Sequence, residues 1–121
     1  MKQLIFDWDN KFDRFLEQLD TNTRASLLRR IEAIENVGIR DASQREWIKL
    51  LDKKEKIFEI RSRSTQYFPR AVYFRVKGDF YFISHGFNKK TNKTPKREIE
   101  LAKNRKRSFF ANKPKGDDKN E

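Results

Sequence analysis

Cysteine is absent from this 121-residue chain. That excludes a disulfide framework and any Cys-based metal site. Histidine occurs once, at position 85, so a zinc site would have to rest on carboxylates, a poor donor set for that ion. Long apolar runs are also missing, and nothing approaches the roughly 18 residues that a membrane span needs. The start, Met1 to Asp7, lacks the apolar stretch of a secretory signal, so the expected location is cytoplasmic. Neither a cofactor nor a metal is expected.

What is present is charge and aromatic bulk. Charged residues make up 39% of the chain and hydrophobic ones 36%, while 11 Phe, 3 Tyr and 2 Trp supply large apolar groups. That balance describes one folded domain with a heavily charged surface. The net charge is +11, which suits a polyanionic partner such as nucleic acid, ribosome, an anionic membrane or an acidic protein. The excess is not spread evenly. Residues 1–44 hold 7 Lys/Arg and 8 Asp/Glu (net −1), residues 45–110 hold 19 and 7 (net +12), and residues 111–121 hold 3 and 3 (net 0). Whatever binds the polyanion is built from the middle and later chain.

Leu4, Phe6 and Trp8 alternate, which predicts a short strand over residues 2–8. Asp9 or Asn10 can cap a helix over residues 11–20, where Phe12, Phe15, Leu16 and Leu19 recur at helical spacing. After the break at Asp20 to Thr23, Ala25, Leu28, Ile31 and Ile34 define a second amphipathic helix ending before Gly38. The pair reads as a helical hairpin that must cover a sheet. Four strands follow, at residues 47–51, 56–61, 70–76 and 80–85, and their short links imply an antiparallel meander. The last two strands are apolar on both faces, so both faces should be partly covered. Thr94 as N-cap and Pro95 at the first helical position start a final helix. The chain divides into a domain over residues 1–110 and a small polar tail, residues 111–121, expected to be disordered. The fold class is α+β.

The chemistry-bearing residues gather at strand ends. Glu59 and Arg61 are two apart and share a strand face, Arg70 opens the next strand, and His85 closes the last, followed by Lys89 and Lys90. A basic concave surface of this kind suits RNA cleavage without a metal. The substrate's 2′-hydroxyl attacks its own phosphate, and the reaction needs a base, an acid and cations for the developing charge. Arg61, Arg70, His85, Lys90 and Glu59 are the candidate catalytic set. His85 titrates near neutrality at its reference value. Glu59 is either a partner base or a surface ion pair with Arg61 or Arg63. Lys49, Lys53, Lys54, Arg63, Lys89, Lys93, Lys96 and Arg97 are candidate RNA-binding residues. The cations of residues 103–107 can equally be a solvated face. Tyr67, Phe68 and Phe87 are candidate base-stacking groups near turns.

The runs Ile57 to Arg61, Pro69 to Phe74, His85 to Thr91 and Lys93 to Ala102, with Arg105, resemble the RelE/ParE toxin superfamily, above all its HigB-like, phage-derived branch. The segment Phe87-Asn88-Lys89-Lys90-Thr91-Asn92-Lys93-Thr94-Pro95 is the most specific of these, and the likeness spans residues 3–110. The resemblance implies a RelE-like fold: a small curved antiparallel sheet, an N-terminal helical hairpin on one face and a C-terminal helix. It implies the toxin of a type II toxin–antitoxin pair, a ribosome-dependent mRNA endoribonuclease that arrests translation. Its partners would be ribosome, mRNA and an antitoxin, usually a helix-turn-helix protein in this branch. Arg70 matches the family's arginine before the central strand, Arg61 the arginine closing the preceding strand, and Lys89 or Lys90 the basic residue after the last. Glu59 stands where RelE has a proton-transferring lysine, and RelE's C-terminal stacking tyrosine has no clear equivalent. Two alternatives stay open: a ParE-like toxin that poisons gyrase, and a non-catalytic nucleic-acid-binding protein of phage origin.

Overall fold

A computed structural model describes residues 1–91 and 93–112. The elements run β1 (Ile5–Trp8), α1 (Asn10–Gln18), α2 (Thr21–Val37), α3 (Ile39–Gln44), β2 (Ile48–Asp52), β3 (Ile57–Arg61), β4 (Pro69–Lys77), β5 (Phe80–Asn88) and α4 (Lys96–Ala111). They form one five-stranded sheet in the order β1-β5-β4-β3-β2. The architecture is α+β and agrees with a RelE-like fold. The tail expected to be disordered falls mainly on residues 113–121, which lie outside the described residues.

The expected antiparallel sheet needs one correction. β2 to β5 form the meander, but β1 runs parallel to β5, with Ile5 opposite Phe80 and Trp8 opposite Ile83, so the sheet is mixed. The short turns specify only the neighbours they join. β1 reaches its edge through α1, α2 and α3, and its direction is set by where those helices dock. The short helix α3 also went unpredicted, as six residues hold little periodicity.

Apolar residues on one sheet face, including Ile48, Ile60, Ala71, Tyr73 and Ile83, pack against Phe12 and Leu16 of α1 and Leu27, Ile31 and Ile34 of α2. The other face carries Ile57, Val72, Phe74 and Phe87, covered by Ala102 and Phe109 of α4. Both faces are therefore covered, as the doubly apolar strands implied. α1 lies close on β5. Gly86 pairs with Ala71, and a Cβ at Gly86 would overlap the Phe15 ring. Asp9 caps α1 through the Lys11 amide, while Arg24 of α2 donates to the carbonyls of Leu16 and Leu19 at its other end. α4 covers only part of its face. Its ring and polar contacts include Phe74, Phe82, Ser84 and His85, and the candidate site lies at the Arg61–Arg70 pair of β3 and β4.

Candidate nucleic-acid groove

Arg61 and Arg70 face each other across the β3–β4 register. Alternation along the strands puts them on the α4 side of the sheet, in line with Glu59 and Val72. Two contiguous grooves meet at this pair. One, of about 260 Å3, is lined by Arg61, Phe68, Arg70, Lys89, Lys90 and Thr91. The other, of about 430 Å3, shares Arg61, Phe68 and Arg70 and adds Arg30, Arg45, Glu46, Trp47, Ser62 and Arg63. Together they make a basic trough with Phe68, an exposed ring, on its wall.

Glu59 holds the trough together from below. Its carboxylate is wholly buried, so the expected surface ion pair with Arg61 or Arg63 is corrected. Oε1 accepts from the Thr94 hydroxyl at 2.8 Å, while Oε2 lies 3.5 Å from Lys89 Nζ and 3.7 Å from Arg70 Nε. The Arg70 contact is an attraction of charges, too long for a hydrogen bond. Arg70 is fixed instead by Nη1, which donates to the carbonyls of Ser62 at 2.7 Å and Pro69 at 3.1 Å. Thr94 is thus drawn inward to the carboxylate, and Pro95 takes the N-cap position expected of it. A buried charge without such donors would be strongly destabilising, and that need overrides the local capping preference.

Burial pushes Lys89 below its ordinary value, with Glu59 opposing and Arg70 and Lys49 adding to the drop. Burial likewise lowers Arg70, with Glu59 opposing and Arg61 and Arg30 adding to the drop. Arginine stays charged through such a shift, but a lysine so placed gives up its proton more readily.

His85 lies elsewhere. It is buried beneath α4, with Nδ1 3.0 Å from the Ser84 hydroxyl and Nε2 3.1 Å from Glu98 Oε1. Burial, helped by Arg105, lowers its pKa to about 4, so the ring is neutral at pH 7 and ties α4 to β5. It lines neither groove.

The structure therefore brings Arg61, Arg63, Arg70, Lys89 and Lys90 together, with Glu59 beneath them and Lys49 opposite Glu59 on β2. Lys53 and Lys54 project from the β2–β3 turn, at the far end of that hairpin. Lys93, Lys96 and Arg97 are exposed near the start of α4 and line neither groove. The α4 cations fasten the helix: Lys103 pairs with Asp52, Arg107 with Glu55, and Lys106 and Arg105 donate to the carbonyls of Glu55 and Ser84. Phe87 is a core residue and Tyr67 borders a separate hollow with Asn88, leaving Phe68 as the stacking candidate in the groove.

Sequence reasoning missed Arg30, Arg45 and Trp47. The Trp47 indole carries the Arg30 guanidinium 4.6 Å from its centroid and that of Arg45 at 5.1 Å. Arg30 is held by a 2.7 Å bond to the Arg61 carbonyl. Arg45-Glu46-Trp47 just before a strand is a weak signal that could have been weighed, whereas Arg30 gives none because only folding brings α2 to β3.

Residues 14–107 match the family model described as phage-derived protein Gp49-like (DUF891). The chain belongs to this Gp49-like family. The match contains every residue lining the two grooves. The family is RelE-like and toxin-like in character, which agrees with the architecture and the basic trough of this Gp49-like protein. No curated protein matches the chain. Among the described residues no helix is long and apolar enough to cross a membrane, and no cluster of His, Cys, Asp and Glu could hold a metal ion.

Proposed function

We propose that this chain is the toxin of a type II toxin–antitoxin pair, of the HigB-like branch, and cleaves mRNA on the ribosome. The observation that carries the reading is the meeting of Arg61 and Arg70 with Lys89 and Lys90 in one open groove. In this reading Arg61, Arg70 and Lys90 hold the scissile phosphate and offset the charge of its pentacoordinate state. Lys89, desolvated and flanked by cations, delivers a proton to the leaving 5′-oxygen. Glu59 orients Lys89 and Arg70 and touches no substrate. His85 supports the sheet under α4 and takes no part in proton transfer. The ribosome presents the strand and aligns the 2′-hydroxyl, whose proton passes to solvent water as the O2′–P bond forms and the P–O5′ bond breaks.

The test is primer extension on mRNA in a translating bacterial extract with the purified chain. Wild type should cut transcripts and stop synthesis. Arg61→Ala should lower cleavage about 10²–10³-fold with an unchanged thermal midpoint, because Arg61 is half-buried and has no ion pair among the described residues. Arg70→Ala is a poorer probe, since it strips a partner from buried Glu59. Intact transcripts with wild type would refute the reading, and DNA damage signalling in their place would favour a gyrase target. An open cationic trough also calls for a neutralising partner. An antitoxin, a helix-turn-helix protein in this branch, should co-purify and give a complex less basic than the toxin alone.

A further inference from the structure

The larger groove contains more than a phosphate site requires. Beside Arg45, Arg61 and Arg63 it holds a carboxylate, Glu46, which has no ion pair or side-chain hydrogen bond among the described residues. An acidic group in a groove that served only phosphate would weaken it. Glu46 also sits at φ 61°, a left-handed conformation that favours glycine. The reason is a helix stop: the Glu46 amide bonds the Ser43 carbonyl and the Trp47 amide the Ala42 carbonyl, both at about 3.0 Å. That pairing is a Schellman turn, whose left-handed position is usually glycine. Here a glutamate occupies it, at a cost of about 1 kcal/mol, and its side chain borders the groove.

Trp47 is anchored beside it. Its carbonyl accepts from the Arg61 amide at 2.7 Å, so the indole is set at a fixed step from the arginine that closes β3. Aromatic and guanidinium planes offer faces to a nucleobase, while a carboxylate accepts two parallel N–H bonds from one edge. Of the four RNA bases, only guanine presents two adjacent donors on its Watson–Crick edge, the ring N1–H and the exocyclic amine. The volume of about 430 Å3 lies at the low end of ligand pockets, suited to a single nucleotide.

We propose that the groove beside Trp47 is a nucleotide subsite selective for guanine, with Glu46 reading the base edge and the Arg45 guanidinium, itself laid on Trp47, supporting its face. This rests on the reading of the adjoining groove as an RNA site. Arg61 and Arg70 line both grooves, so the guanosine is the nucleotide next to the phosphate they hold.

The experiment uses the full chain carrying Trp8→Phe, so that Trp47 is the sole indole, and follows its fluorescence on titration with GMP, AMP, CMP and UMP. GMP should bind at least tenfold more tightly than the other three. Glu46→Gln should abolish that preference, weakening GMP relative to the other three, while AMP binds no more weakly than to the parent chain. Glu46→Gly should also abolish it while raising the thermal midpoint, which separates the recognition role from the turn. Equal binding of all four nucleotides, no Trp47 response to GMP, or a preference that survives Glu46→Gln would each overturn the subsite. These outcomes are independent of transcript cleavage, which tests the enzyme reading by itself.

Discussion

His85 is buried beside Glu98 and Ser84 with a pKa of about 4, against 6.5 in an unfolded chain. The unfolded state therefore binds more protons between these values, and stability falls as pH drops from about 6.5 towards 4. The full loss from this one group is about 3 kcal/mol. Urea unfolding at pH 7 and at pH 4.5 should show most of that loss in wild type. His85→Gln should lower stability at pH 7 and flatten the dependence over the same window. An unchanged pH dependence in His85→Gln would show that His85 is not the group responsible. The sequence drew attention to this residue for its reference pKa, but burial under α4 removed the property that made it a candidate. Lys89 moved the opposite way, from one surface cation among several to a buried ammonium on Glu59. Arg70→Ala leaves the Glu59 charge with less compensation and should cost about 3–5 kcal/mol, read as a lower denaturation midpoint. A cost near zero would mean that Lys89 and Thr94 suffice.

Between elements, the tightest constraint is the contact of α1 with β5. Ala71 and Gly86, a pair of small residues, sit opposite each other and let the Phe15 ring lie almost on the backbone. Gly86→Ala should destabilise by about 1–3 kcal/mol through overpacking. Phe15→Leu in the same chain should recover part of that loss, and the double-mutant cycle measures the coupling. Additive effects would show that the two residues do not share the space. The helices and strands themselves were largely legible because apolar spacing is a local property. α3 and the parallel β1 were not: the first is too short for a period, and the second is a pairing between distant segments.

For the molecule as a whole, the +12 excess of residues 45–110 has at least two uses, while Lys53, Lys54, Lys93, Lys96 and Arg97 line neither groove. Part of it lines the trough, and part fastens α4 through Lys103, Arg105, Lys106 and Arg107. Binding of single-stranded RNA to the trough should fall with salt at a slope near −0.7 per phosphate contacted. With about four contacts the affinity drops about 50-fold from 50 to 200 mM salt. Arg61→Gln should flatten that slope by about 0.7, while Lys53→Gln with Lys54→Gln should leave it unchanged, as measured by fluorescence anisotropy. Equal effects from both sets would mean that the field of the whole surface, not the trough, binds RNA.

The amino-acid order alone determined the α+β composition, most element boundaries and the region holding the positive charge, because these depend on neighbours within a turn or a strand. It also placed Arg61, Arg70 and Lys90 at strand ends that a meander could bring together. Tertiary packing decided the rest. It drew Glu59 and Lys89 inside, closed His85 under a helix, and carried Arg30 and Trp47 from separate segments to the edge of one groove. Burial and proximity are properties of the assembled chain, and they set which of its many cations face a substrate.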